Sequence, residues 1–280
     1  MSDPRARAVT LGHLSVERVA PPDYVAQAAK AGFVSVGIRF WDGFTNAETW
    51  PMRVGSPMLR ETMERLAALG VATPEIENIV LQPTTSVDDY KPMFETGAAL
   101  KASRVVIGSI VDDEAKCTDM FARLCEVAAP YNLTIALEFY LKWHGCASIA
   151  QGRRIIGAAN QPNGKLLVDA LHLHRSRGTP EELAAMPADF LCSLQLCDAA
   201  AAIPSNLDDI SRESRFERML PGEGGMPLAD VVRAFPAHLP LGIEIPNRPL
   251  EDSIGSQDYL TRCYATTQSF LGALEPKAAQ

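Results

Sequence analysis

The chain has 280 residues, 47% of them hydrophobic, and a formal net charge of −8. That length suits a barrel of about 250 residues and the apolar fraction is too high for a disordered chain. The acidic balance, with no basic block, speaks against affinity built on nucleic-acid phosphates, and no uncharged apolar run of about 18 residues is there to span a membrane.

Short β-branched runs then alternate with amphipathic stretches. AVTLGHL (8–14) predicts a first strand, and PDYVAQAAKAGF a helix closed by a glycine. SVGIRF (35–40) predicts strand two, and SPMLRETMERLAALG a helix with Ser56 at its cap and Pro57 at its first position. ATPEIENIVL gives strand three, and VDDYKPMFETGAALKA helix three, its start blurred by Pro92. RVVIGSI (104–110) is strand four and DDEAKCTDMFARLCEVAAPYN helix four.

The rhythm continues with LTIALEFY (133–140), SIAQGRRIIGAAN, GKLLVDALHL (164–173) and the short helix TPEELAAM, whose Thr179 and Glu182 form a capping box. FLCSLQLCDA is strand seven, PLADVVRAF helix seven, LPLGIEIPN (239–247) strand eight, and 257–274 the last helix. A long irregular stretch, about 199–225, follows strand seven. Eight strands alternating with eight helices predict an α/β fold, a single (β/α)8 TIM barrel over 1–280. An open doubly wound sheet would carry a glycine-rich phosphate loop after strand one, where HLSVERVAPP stands instead. The six cysteines form no CxxC pair and are expected as free thiols. The opening MSDPRARAVTLGHL has no apolar leader core, so a cytoplasmic location is expected. A homo-oligomer is left open.

In a barrel the reacting groups sit where strands end. Glu138 lies within IALEFY, Asp169 within LLVDALHLH, Gln195 within SLQLCD and Glu244 within LGIEIPN, one oxygen donor on each of four successive strands. Any one of them alone reads equally well as half of a salt bridge. Together, three carboxylates with no matching cations nearby would repel one another, and a divalent ion would remove that cost. An all-oxygen set suits Mn2+ or Mg2+ better than zinc.

These motifs carry a resemblance. IALEF, VDALHLHRSRG, LQLCDA, RMLPGEGGMPL and GIEIPN resemble the xylose-isomerase-like sugar isomerase/epimerase superfamily over essentially the whole chain. The resemblance implies Glu138, Asp169, Gln195 and Glu244 as metal ligands. It also implies Arg218 and His172 as residues that reach the substrate. Gln195 departs from the histidine usual in sugar epimerases and resembles the 3-dehydroshikimate dehydratases of the same superfamily. A metal-dependent isomerase or epimerase of a sugar-like substrate, working through an enediolate, is therefore expected. A dehydratase of a cyclic keto acid and a non-catalytic binding barrel are the alternatives. Glu138 and Glu244 are the candidate acid/base pair, with His172 the base in the dehydratase version. An apurinic endonuclease, which shares the barrel, is disfavoured by the five histidines and the acidic charge.

Other strand-end residues have weaker claims. His13, Arg39 and His144 are candidate substrate contacts, His144 lying with Trp143 in a KWHG loop that could cover the site. Glu75 and Glu77 share one strand face, as pocket liners or as halves of ion pairs. His174 is expected to be structural.

Overall fold

The structure is a computed structural model that describes residues 9–274, so Ala8 of the expected first strand lies outside them. Eight parallel strands close into a barrel: β1 (Val9–Leu11), β2 (Ser35–Arg39), β3 (Ala72–Leu81), β4 (Arg104–Ser109), β5 (Thr134–Glu138), β6 (Gly164–Asp169), β7 (Leu191–Leu196) and β8 (Leu241–Ile243). Each pairs with its chain neighbour, and β8 closes on β1 through Val9 opposite Leu241 and Leu11 opposite Ile243. The (β/α)8 barrel expected from the strand count is the observed fold. None of the described helices is long and apolar enough to cross a membrane.

Local chemistry sets the helices between the strands. In α1 (Pro21–Ala31) proline opens the first turn and Gly32, at φ 110°, ends the last. Helix α2 (Pro57–Leu69) starts as expected, with the Ser56 hydroxyl accepting from the Leu59 amide at 3.1 Å. Helix α3 (Lys91–Ala99) is shorter than its pattern predicts. A 3-10 turn over Val87–Tyr90 precedes it, and Pro92 marks where the regular helix starts. Then come α4 (Glu114–Ala128), α5 (Ile149–Ala159), α6 (Ala170–Arg175), α7 (Pro180–Ala184), which carries the capping box, and α8 (Leu207–Phe216). The last three are α9 (Leu228–Ala234), α10 (Arg248–Ile254) and α11 (Ser256–Leu274).

Further boundaries correct the sequence reading, and β8 ends at Ile243 instead of running to 247. Strand β6 stops at Asp169 instead of running to 173, because the Asp169 carboxylate caps α6 by accepting from the His172 amide at 2.9 Å. The stretch 199–225 is not wholly irregular, since it contains α8, capped by Asn206. A small hairpin, Trp41–Asp42 against Ala47–Glu48, adds to the loop after β2.

The outer face of the barrel is apolar, whereas the inner face mixes polar side chains with a small apolar layer. The main core, which includes Val36, Ile38, Ile107, Leu137, Val168 and Leu196, fills the layer between sheet and helices. A separate small cluster, Val106, Ala136 and Leu167, stands apart from it. Strand register explains the division. Glu138 is level with Leu167, Asp169 with Gln195, and Gln195 with Gly242. Residues two apart share a face, so Glu138, Asp169, Gln195 and Glu244 all belong to the lumen face. Across the barrel the same alternation groups Gly37, Arg39, Glu75 and Glu77, because Gly37 pairs with Glu75 and Arg39 with Glu77.

Candidate metal and active site

The lumen opens at the C-terminal ends of the strands into a cleft of about 490 Å³, part of it continuous with solvent. Glu138, His172, Arg218, Glu244, Arg39 and Glu77 line it. A roomier hollow at the other end of β3, lined by Met63, Pro74 and Leu100, has no carboxylate or histidine in its lining.

Strand β5 ends on Glu138 and β6 on Asp169, while Gln195 is next to last in β7 and Glu244 follows β8 directly. All four are buried. Their surroundings differ, and this corrects the expectation of three unpaired carboxylates. Arg218, itself 1% exposed, reaches into the lumen with Nη1 2.6 Å from Asp169 Oδ2 and Nη2 3.1 Å from Glu244 Oε2. Glu138 Oε1 and Gln195 Oε1 are buried with no hydrogen-bond partner.

The segment carrying Arg218 is fastened on both sides. Met219 pairs antiparallel with Asp198, just beyond β7, and Glu217 with Asn247, just beyond β8. The Asn247 amide donates to the Arg218 carbonyl at 2.8 Å, and the Arg218 Nε donates to the Ser214 carbonyl at 2.8 Å. The Asp198 carboxylate accepts from the amides of Ala199, Gly222 and Met226, which shapes the PGEGG loop. Sequence reasoning missed Asp198, Asn247 and Ser214 as the frame for Arg218. The polar residues Asp198 and Asn247, at the ends of the expected strands seven and eight, were the available signal.

Electrostatics follow from this geometry. Burial works against charge on Asp169, but Arg218 and the His172 amide outweigh it and hold the carboxyl below its usual range. Burial also raises Glu244, with Arg218 pulling the other way. Glu138, with no cation in contact, is pushed well above the usual range by burial and then by Glu244 and Asp169. Burial lowers His172 to about 4, so its ring is neutral. The His172 Nε2 lies 3.7 Å from Glu138 Oε1, and its Nδ1 has no partner. Because α6 starts at Ala170, His172 sits one helical turn past Asp169 and not further along a strand. Glu138, Asp169 and His172 bring one ligand atom each within 4.8 Å of one another, so His172 joins the cluster that could hold a metal.

The remaining expected residues divide. Arg39 lines the cleft. His13 does not: it is buried, stacks on Tyr24 at 4.0 Å, and bonds the Val19 carbonyl at 2.8 Å and the Arg39 amide at 3.1 Å. It supports the backbone that carries Arg39 and is corrected from substrate contact to scaffold. His144 is exposed in its loop and is not among the lining residues, whereas Trp143 lines the cleft and packs over Gly108. Glu75 pairs with buried Arg104 at 2.6 Å, while Glu77 has no partner for either oxygen. His174 lies beside Arg175 at 2.6 Å, away from the cleft, as a structural residue would.

A polar lumen with carboxylates at the mouth of a (β/α)8 barrel defines a class of proteins, and comparison with known proteins agrees with it. Residues 25–263 match the xylose isomerase-like TIM barrel family, and the chain belongs to that family. It is 30% identical over 98 residues to the inosose isomerase of Halalkalibacterium halodurans, covering 31% of this chain and 34% of that protein. It is 28% identical over 162 residues to the 3-dehydroshikimate dehydratase of Pseudomonas aeruginosa, covering 57% of this chain and 25% of that protein. The matches thus span about a third or less of those relatives' lengths. Among solved structures, the IOLI protein with a binding zinc atom superposes with a TM-score of 0.79 at 18% identity, covering 96% of this chain and 99% of that one. The similar proteins thus include both an isomerase and a dehydratase.

Proposed function

We propose that the chain is a divalent-metal-dependent isomerase or epimerase of a sugar-like polyhydroxy carbonyl substrate, working through an enediolate. The observation that carries this reading is the pair of buried oxygens without partners, Glu138 Oε1 and Gln195 Oε1, beside Asp169 and Glu244 on one lumen face. Buried polar atoms are normally satisfied, so two unpartnered oxygens on one lumen face are what a bound cation would satisfy. The charge balance agrees. Arg218 is the guanidinium in contact with the ligand carboxylates, so with all three ionised two negative charges would be left for a divalent ion to neutralise.

Glu138, Asp169, Gln195 and Glu244 would hold the ion, Mn2+ or Mg2+ by their oxygen chemistry. When bound it would polarise the substrate carbonyl and stabilise the negative charge that develops there. Proton transfer falls to the chain's own groups. Glu138 and Glu244 stand at the mouth as the acid/base pair that exchanges a proton at the carbon beside the carbonyl. Arg218 gives the developing oxyanion a second cationic neighbour. Tyr140 and Trp143, edge to face at 5.3 Å, wall the cleft beside His172 and exclude water.

A second reading, dehydration of a cyclic keto acid, is favoured by one observation. His172 is neutral, lines the cleft and has an unpartnered Nδ1, which suits a base that removes a proton before a β-hydroxyl leaves. Incubation in D2O with Mn2+ and a panel of ketoses, inosose and 3-dehydroshikimate tests both. Deuterium at the carbon beside the carbonyl supports the shared proton-abstraction step, and the product tells isomerase from dehydratase. Turnover with that C–H bond intact, checked with substrate deuterated there, overturns both readings.

A further inference from the structure

Across the lumen from the four candidate ligands, β3 holds a carboxyl group that the proposed chemistry does not use. Glu77 is 1% exposed, lines the cleft, and neither of its oxygens has a hydrogen-bond partner. Its neighbour on the same strand shows that this is not the general condition of β3, because Glu75 is paired with Arg104. The fold makes room for the Glu77 side chain. A Cβ at Gly37 would come within 2.6 Å of Glu77 Oε1, so only glycine leaves that space. Asn78, also at the cleft, likewise has a buried Oδ1 with no partner. The groups facing Glu77 are Glu244, Glu75, Arg39 and the backbone of His13, whose fields act on it while none reaches hydrogen-bonding geometry with either oxygen.

A buried carboxyl without partners costs a protein stability, and such a cost persists where the group serves something else. A structural role would show as a well-formed hydrogen bond, and neither Glu77 oxygen makes one, the His13 backbone lying near it without that geometry. What remains is a bond made when the cleft fills.

We propose that Glu77 contacts the substrate, binding with Asn78 the hydroxyl groups at the end of a polyhydroxy carbonyl compound that faces away from Glu138, Asp169, Gln195 and Glu244. A hydroxyl both donates and accepts, so it pairs with the carboxyl of Glu77 and with the amide oxygen of Asn78 alike. The inference rests on the reading of the cleft as the substrate site and assigns its β3 wall to recognition of the distal hydroxyls.

The test uses Mn2+-loaded full-length protein, wild type against Glu77→Leu and Glu77→Gln, with myo-inositol and xylitol as unreactive polyol probes and shikimate as a carboxylate-bearing contrast. Calorimetry should show polyol binding at least tenfold weaker in Glu77→Leu and less affected in Glu77→Gln. Thermal unfolding without ligand should show an unchanged or higher Tm for both variants, because an unsatisfied carboxyl has been removed. Where a panel ketose is turned over, KM should rise more than kcat falls. A lower Tm in both variants would make Glu77 structural and overturn the proposal. So would equal polyol affinity in all three proteins, or wild type that binds shikimate and neither polyol. The outcomes separate this proposal from the catalytic one: polyol binding that depends on Glu77, without C–H exchange in D2O, would leave the recognition site standing and the isomerase reading overturned.

Discussion

Arg218 lies between Asp169 and Glu244, 2.6 Å from one carboxylate and 3.1 Å from the other. The two acids come from different strands, and the guanidinium from neither. It therefore acts as a resident counter-ion for half of the candidate ligand set. Removing it leaves two buried carboxylates facing each other, and breaking a buried pair this way costs about 3–5 kcal/mol. Arg218→Gln should accordingly unfold at a clearly lower temperature than wild type in metal-free buffer. Mn2+ should raise the Tm of the variant more than that of wild type, because the ion then supplies the missing charge. Equal Mn2+ shifts in the two proteins would show that the guanidinium and the ion do not share these carboxylates.

Gln195 offers an amide oxygen where imidazole would offer nitrogen. Gln195→His should fold and still bind a divalent ion, with its preference moved toward Zn2+ and Co2+ over Mg2+. Competition binding monitored by calorimetry checks this. An unchanged Zn2+-to-Mg2+ ratio would place Gln195 outside the coordination sphere.

His13 links stability to pH. Burial lowers it to about 4, against an ordinary 6.5 when unfolded. Between those values the unfolded chain binds the proton and the folded one resists it, so stability falls as pH drops through that window. The full effect is about 3 kcal/mol for a shift of this size. Urea unfolding at pH 7.5, 5.5 and 4.5 should show this slope, and His13→Gln should flatten it, His172 accounting for part of what remains. A variant with the wild-type slope would mean that His13 titrates normally in the folded protein.

The Trp143 ring lies so close to Gly108 that no side chain fits between them. Gly108→Ala should therefore push Trp143 from its place against Tyr140 and open the cleft to water. Iodide quenching of tryptophan fluorescence should rise in the variant relative to wild type. Unchanged quenching would mean the indole does not rest on Gly108 in solution.

What the sequence made legible was whatever local pattern determines. Strand alternation placed Glu138, Asp169, Gln195 and Glu244 on successive strands, and capping chemistry marked Ser56 and Thr179. Elements with weak local signals were harder to read. Helix α8 has few apolar residues in LDDISRESRF, and it is held instead by distant partners. Arg175 clamps Glu213 with two hydrogen bonds of 2.7 Å, and Arg215 reaches Glu17 at 3.4 Å. LVDALHLH reads as continuous strand by composition, and only the Asp169 cap turns it into helix. The pairing of Arg218 with Asp169 spans 49 residues, and no spacing rule in the chain encodes it. The two rings of His13 and His172 look alike as strand-end histidines. Whether backbone carbonyls and amides claim their nitrogens is decided by the turns around them.

The division of each strand into an apolar and a polar face has a consequence for how such a barrel can change. Packing against the helices depends on residues such as Val168 and Leu196, while their immediate neighbours Asp169 and Gln195 face the lumen. Adjacent positions in the chain thus answer to separate demands, one thermodynamic and one chemical. A substitution on the inward face alters what the barrel does while leaving the shell that keeps it folded largely untouched. One scaffold can in this way accept single-residue changes on its inward face without giving up its packing.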